Sequence, residues 1–506
     1  MRTGSNHRQP GVVGIGQSSG GRIRAQFEGA GTSYRLGGKG LGTSHINGEA
    51  ARSLTNLRKR SIHAVRNHAY ARTALTQFVD ATIGTGIVAK WQNAELQALW
   101  DIWCRACDAD GLDNFAALQS LIGCESFHSG EALVRRRWRS PAAMPGVVPL
   151  RIQVLSGSQL DEHDNDPLQN IVCGIEHNNQ GERTFYRFNI TPNGGGFTQK
   201  IRVPAADVAH LFERMEAGQV RGIPILSAIL VRLYELDEMQ DSTLLRAKVA
   251  ALFGGFVKRS KTQPGMPQES NAAPEQGSMG TPTGTSEDGT VIEKIVAGAM
   301  HYLDEDEDVI FPDLPDVGNN YAVWLKTELR AVAKAIGLTY EQLTGDLEGV
   351  SYSSIRAGLL EFKRRVLVMQ WNLFIPRICD KVAMWFLESA VMAGMVTLPG
   401  FWDNPLAFLP EWTPPTLESV DRLKESMADL LDNRAGFTTR AKVLAGRGDN
   451  IDDIDRQLAK EQDSELVLDS NPAKVDKTGA MQATLQQASA LLQDDEPPSP
   501  DKDKTT

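Results

Sequence analysis

No apolar run in this sequence approaches the roughly 18 residues that a membrane-spanning helix needs. The nearest, around residues 391–398, is short and interrupted by Gly394. The first residues are polar and Gly-rich, so nothing reads as a secretory signal, and a bacterial or host cytoplasm is the default compartment. Cysteine is scarce: five in 506 residues do not make a disulfide framework. An excess of bases is missing too. The net charge is −10, whereas a protein that grips nucleic acid usually shows a basic footprint. Much of the imbalance sits at the end of the chain, where fourteen acids stand against six bases from Asp449 onward.

Catalytic signatures are also lacking. None of the nine histidines stands in a Ser/His/Asp, HExxH or Cys/His constellation. His128, His163 and His210 read as ordinary surface or core histidines. GIGQSSG (14–20) lacks the GxGxxG spacing, a preceding strand and a following helix. GGKGLGTS (37–44) has no GK[ST] after four spacer residues. The apolar share, 41%, is ordinary, and the length leaves room for a sizeable core.

What is present begins with the cysteines that remain. Cys104, Cys107, Cys124 and His128 follow the order C-x2-C-x16-C-x3-H, which would suit tetrahedral zinc. Leu96, Leu99, Trp100 and Trp103 recur at helical spacing over 94–107, however, and make Cys104 and Cys107 neighbours on one packed helix face. Cysteine behaves there as a small buried hydrophobe, and no metal is expected.

Residues 1–45, rich in Gly, Ser and Arg, read as a mobile arm. A helical region begins near Asn47. Its bases Arg52, Arg58, Lys59, Arg60, Arg66 and Arg72 read as a solvated helix face, with contact to nucleic acid the sharper alternative. The segment DGLDNFAALQSLIGCESFHSGEALVRRRWR then holds a helix, a turn at Ser129 and Gly130, and a strand ending in Arg135, Arg136 and Arg137. PLRIQVLS, NIVCGIEHN, RTFYRFNI and QKIRVPAADVAHLF then alternate like antiparallel strands joined by hairpins. From Ile225 the period turns helical, with Leu226, Ile229, Leu230, Leu233 and Leu236 as its stripe.

The stretch 262–290 has almost no large apolar residue and is expected to stay disordered. The five acids at 304–308 read as a solvated edge rather than a cation site. A helix over 321–336 carries Trp324, Leu325, Leu329, Val332 and Ile336. A long one follows over 354–394, with Phe362, Val366, Phe374, Ile378, Val382 and Phe386; Pro376 predicts a kink in it. Between them lies the polar loop TGDLEGVSYSS. Residues 402–415 read as an aromatic, Pro-rich connector, with helices again at 417–431 and 439–445. The overall class is α+β.

The order of these segments resembles the portal proteins of tailed phages, the lambda-type family, over about residues 47–465. The likeness is carried by GQVRGIPILSAILVRLYELDEMQDSTLLRAKVAALFGGFV (218–257), YAVWLKTELRAVAKAIGLTYEQLTGDLEGVSYSSIRAGLLEFKR (321–364) and GFTTRAKVLAGRGDNIDDIDRQLAKE (436–461). The Trp-rich helix followed by DGLDNFAALQ fits as well. No one motif is unique; their order and spacing are specific.

The resemblance implies a portal-type subunit. An α/β wing would take 46–224, the first stem helix 225–254, and a small α/β clip 255–318. The second stem helix would be 319–337, the tunnel loop and long wing helix 338–415, a helical crown 416–465, and an acidic tail 466–506. The stem faces would be Leu226, Ile229, Leu230 and Leu233 on one helix, and Trp324, Leu325 and Leu329 on the other. The DNA-facing loop would comprise Thr344, Gly345, Asp346, Leu347, Glu348, Gly349, Val350 and Ser351, a ring of acids without a base among them.

The implied assembly is a non-enzymatic ring of about twelve subunits at the capsid vertex of the virion, put together in the host cytoplasm. Its implied partners are the duplex DNA that passes through, the terminase large subunit, the major capsid or scaffold protein, and a head-completion or adaptor protein. No cofactor and no membrane are implied. Acidity suits such a channel, because DNA of any sequence must pass without being held. Another head–tail connector protein is the alternative, disfavoured by length; an enzyme and a soluble nucleic-acid binder are disfavoured by the missing motifs.

Overall fold

The computed structural model describes residues 45–190, 199–252, 255–258, 281–285, 291–294, 300–303, 318–417, 422–447 and 451–462. Helices α1 (Ile46–Asn67) and α2 (Ala69–Thr82) are separated only by the extended residue His68. Leu54, Arg58, Ser61 and Val65 form the buried row of α1, at the spacing of one helix face. Arg58 therefore leaves the exposed basic set to which its sequence neighbours belong.

Strand β1 (Val88–Lys90) leads to α3 (Ala94–Cys104), capped by the Asn93 side chain on the backbone N–H of Glu95 and Leu96. The helix ends at Cys104, three residues short of the expected limit. Cys107 lies beyond it, where its carbonyl accepts from the N–H of Ile152 at 2.8 Å and starts a loop against the sheet. Helix α4 (Phe115–Ser129) is capped by Asn114 and stopped by Gly130 in the left-handed conformation, φ 86°.

Strands β2 (Glu131–Trp138), β3 (Leu150–Ser156) and β8 (Val208–Phe212) form an antiparallel sheet in the order β3-β2-β8. Strands β4 (Ile171–Val172), β5 (Ile175–His177), β6 (Arg183–Ile190) and β7 (Gln199–Pro204) form a second sheet in sequence order. Alternation along β2 places its side chains on two cores. Ala132 and Val134 join Trp100, Trp103, Phe115, Leu150 and Ile152. Leu133 joins Leu155, Ile175, Tyr186, Phe188 and Val203 between the sheets.

A short 3₁₀ turn, Ile225–Ala228, opens into α5 (Leu230–Leu252). Strands β9 (Gly255–Lys258) and β12 (Met300–Leu303) pair in parallel, and β10 (Thr281–Thr285) pairs antiparallel with β11 (Val291–Lys294). Part of the stretch expected to be disordered is thus a strand. Thr281 and Thr285, both β-branched, stand at the two paired ends of the ladder, whose register shifts between Pro282 and Gly284. The rest of 262–290, the acids at 304–308, the N-terminal arm and residues 466–506 lie outside the described residues.

Helices α6 (Gly318–Ile336), α7 (Tyr340–Thr344) and α8 (Tyr352–Met369) follow. A third core unites Phe78 of α2, Leu226, Ile229, Leu233, Val332, Ala333 and Ile336 with Phe362 and Val366 of α8. Helix α8 runs on through a π-helical segment, Gln370–Cys379, into α9 (Asp380–Met392). Pro376 lies inside that segment, so its missing N–H is met by widened i→i+5 winding rather than a break. Gln370 holds the segment in place: its Nε2 donates to the carbonyls of Thr82 and Pro415, each at 2.9 Å. Strand β13 (Glu411–Thr413) returns to pair with β1. Helices α10 (Arg422–Arg434), α11 (Arg440–Gly446) and α12 (Ile451–Gln462) complete the described chain.

Candidate functional site

The polar loop after α7 is built by two caps. Thr339 and Gln342 form a reciprocal capping box at its start, and Gly345 ends the helix with φ 72°. Ser351 then caps α8 by accepting from the N–H of Ser354. Thr344 is spent inside this frame, its hydroxyl on the Tyr340 carbonyl at 2.8 Å. Gly345, Leu347, Glu348, Gly349 and Ser351 are exposed; Val350 and Asp346 are half-buried.

Asp346 does not project as a free acid. Its Oδ1 accepts the N–H of Glu348 at 3.0 Å, its Oδ2 accepts the Tyr340 hydroxyl at 3.0 Å, and Lys326 Nζ of α6 stands 3.6 Å away. The Glu348 N–H first, then the Tyr340 hydroxyl, hold its carboxyl below the ordinary value. Lys326 and Arg330 also lie 5.3 and 5.6 Å from the centre of the Tyr340 ring. The loop expected to be purely acidic is therefore backed by two bases from the preceding helix. Neither is near it in sequence, and only the helix spacing Lys326–Arg330 hinted that they share a face.

Of the expected stem residues, Leu226, Ile229 and Leu233 meet Val332, Ala333 and Ile336 in the core, with Leu230 packed at its edge. Leu329 is buried, whereas Trp324 and Leu325 are only half-buried and Trp324 tilts against Tyr321 at 6.0 Å. Arg232 reaches Glu328 at 3.2 Å and joins the two helices on their exposed side.

A buried charge cluster was not foreseen at all. Glu131, the first residue of β2, is fully buried. Its Oε1 accepts from Arg58 at 2.5 Å and from Arg221 at 2.6 and 2.9 Å; its Oε2 accepts from the Gly222 N–H at 2.8 Å and contacts His210 Nε2 at 3.0 Å. Arg221 also donates to the carbonyls of Cys173, Gly157 and Leu160, and Arg58 to those of Ser129 and Gly157. Glu162 stands 3.6 Å from Arg58 and accepts from Thr55. The cluster thus ties α1, both sheets and the chain entering α5.

Burial would raise the Glu131 carboxyl, but Arg221, Arg58 and His210 overcome it and hold the group well below the usual carboxylate range. Burial lowers His210 to about 4 despite Glu131. Its Nδ1 faces Arg183 Nη1 at 3.0 Å, so the neutral ring donates from Nε2 to Glu131 and accepts at Nδ1. Close approach here depends on glycine: a Cβ on Gly222 would lie 2.1 Å from the Gly130 carbonyl oxygen.

The Cys/His set does not assemble. Burial pushes Cys107 up to about 12 and raises Cys104 and Cys124 too. Among the described residues no group of three His, Cys, Asp or Glu side chains is placed to hold a metal, and no helix is long and apolar enough to cross a membrane. Charge and packing in the Glu131 cluster hold elements together.

This is a mixed helix-and-sheet structural subunit, and its sequence matches the family described as phage portal protein, lambda family, over residues 34–370. The chain belongs to that family, and its role is that of a portal protein at the capsid vertex. Portal protein B of Escherichia phage lambda is 22% identical over 491 residues, 85% of this chain and 89% of that protein. The probable portal protein of Halomonas phage phiHAP-1 is 24% identical over 371 residues, 70% of this chain and 67% of that one. The portal protein of Escherichia phage N15 is 23% identical over 472 residues, 82% and 85% of the two chains. Among solved structures, a chain from the neck of a native gene transfer agent particle, computed with C12 symmetry, has a TM-score of 0.42 at 17% identity, covering 78% of this chain and 94% of that one.

Proposed function

We propose that about twelve copies of this chain close head-to-tail into a ring through which duplex DNA enters and leaves the capsid. In this reading α5 and α6 form the stem, and residues 255–318 the clip that meets the terminase large subunit and later the head-completion protein. The loop 344–351 lines the narrowest part of the channel, and 416–465 form the crown. The family match carries the proposal, because it runs without a break over the residues read here as wing, stem and loop and over the first part of the long wing helix.

The loop's chemistry supports it. Asp346 is offset by Lys326, so Glu348 is left as the exposed charge of the loop. Such a surface neither binds phosphate firmly nor repels it strongly. Like charges in water interact by about 1 kcal/mol at 4 Å, and less in salt. That is enough, repeated round a ring, to centre DNA without holding it.

Electron micrographs of the purified protein are expected to show rings with an axial hole wide enough for a duplex. A stable monomer by native mass spectrometry at micromolar concentration rejects the ring. For the loop, Glu348→Lys is expected to leave rings intact while slowing packaging or lowering DNA retention, most at low salt. Wild-type packaging and retention at low salt place the constriction elsewhere.

A further inference from the structure

Two helix faces stay open although both carry large apolar side chains. On α5, Val231, Tyr234, Glu235, Glu238, Asp241 and Leu245 are all exposed, Val231 and Tyr234 by 68% and 72%. Apart from the adjacent pair Tyr234 and Glu235 they fall at steps of three and four, one stripe opposite the core residues Leu233 and Leu236. Over residues 231–245 the stripe holds three acids and no base; Arg246 and Lys248 lie beyond its end. On α8 and the first π residues, Arg356, Leu360, Lys363, Arg364, Leu367 and Trp371 fall at the same kind of spacing, opposite Phe362 and Val366. Trp371 is 51% exposed, and Lys363 is half-buried while the others are exposed. This stripe holds three bases and no acid.

Nearby charges are committed elsewhere: Arg232 to Glu328, Glu361 to Lys334 and Arg365 to Glu213. None of the six stripe charges forms an ion pair among the described residues. Each stripe is about 20 Å long at 1.5 Å per residue. Both point away from the core that α5 and α8 share, so within one chain they do not face each other.

We propose that the acidic apolar face of α5 in one copy packs on the basic apolar face of α8 in the next, and that this is the subunit contact of the ring. The inference rests on the ring reading above. A head-to-tail contact requires two different, mutually complementary surfaces on every subunit, and these two match in length, apolar content and opposite charge. The apolar rows supply area, and the charges set register and reject face-to-same-face pairing.

The test uses full-length chains. One variant carries Glu235→Lys, Glu238→Lys and Asp241→Lys; the other carries Arg356→Glu, Lys363→Glu and Arg364→Glu. Each alone has like charges on both faces and is expected to require at least about tenfold more protein to form rings, with circular dichroism unchanged. Mixed, the two are expected to co-assemble in alternation, which misfolded chains could not do. Rings from either variant alone at wild-type concentration, or mixtures that stay monomeric, overturn the contact. So does a variant that forms normal rings but loses a different capsid protein. A wild-type chain that forms no ring instead sinks the ring reading itself.

Discussion

Protonation of His210 should weaken this fold well before the carboxylates titrate. The ring is buried, and its pKa falls from the ordinary 6.5 to about 4. A group whose folded pKa is depressed in this way binds its proton more readily in the unfolded chain. Stability is therefore intact above about pH 6.5, falls with pH below it, and stops changing below about pH 4. Between pH 7 and pH 5 the unfolded ring becomes almost fully charged and the folded ring does not, which removes about 2 kcal/mol. Glu131 has the same sign but a lower window, below its ordinary 4.5. The perturbation is His210→Gln, which keeps a donor for Glu131 and cannot take the proton. Urea unfolding at pH 7 and pH 5 measures it. The wild type is expected to lose about 2 kcal/mol more than the variant over that interval, and the other histidines cancel in the difference. An equal loss in both proteins refutes the argument, because the imidazole would then not be excluded from charging in the folded state.

Two further outcomes follow from burial. Glu131→Gln strands Arg58 and Arg221 without their anion, so it is expected to cost about 3–5 kcal/mol by thermal or urea unfolding; a loss below 1 kcal/mol means solvent reaches the cluster. Gln370→Leu leaves the carbonyls of Thr82 and Pro415 without their side-chain donor, at about 1–3 kcal/mol for each group left unsatisfied. Faster proteolysis near 413–417 is expected with it, and unchanged cleavage there would show that the β1 pairing and the Trp412 contacts hold β13 without Gln370.

Periodic signals carried the legible part of the fold. Strands β3, β6, β7 and β8 lie where alternating residues and β-branched side chains put them, and the apolar row from Leu226 to Leu236 is buried except for Leu230, although its first part is a 3₁₀ turn and α5 begins only at Leu230. Short non-local pairs were invisible: β1 and β13 have three residues each and meet across more than 300 positions, so neither has a pattern of its own. The charge cluster was missed for a different reason. Arg58 sits in a run of bases, and run composition suggests solvent. Its helical row with Leu54, Ser61 and Val65 was the signal for burial, and only a partner such as Glu131, 73 residues away, makes burial of a base tolerable. Lys326 was missed as the counter-charge of Asp346 because the loop was read apart from the helix that packs behind it.

The π segment resolves a mismatch written along the whole wing helix. Phe362, Val366, Gln370, Phe374, Ile378, Val382, Phe386 and Ala390 recur at every fourth position, and all eight are buried. An α-helix turns once in about 3.6 residues, so a row of that period swings about 40° round the axis at each step. Carried from Phe362 to Ala390 in pure α-helix, it would spiral most of a full circle and turn half its members to water. Wider winding over Gln370–Cys379 rotates the chain less per residue and takes part of that drift back. The segment acts as a phase corrector: the helix keeps Phe362 and Val366 in the core with α5 at one end and Val382, Phe386 and Ala390 in the Trp core at the other. Removing one residue between 370 and 379 would therefore do more than shorten the helix; it would rotate one core away from the other.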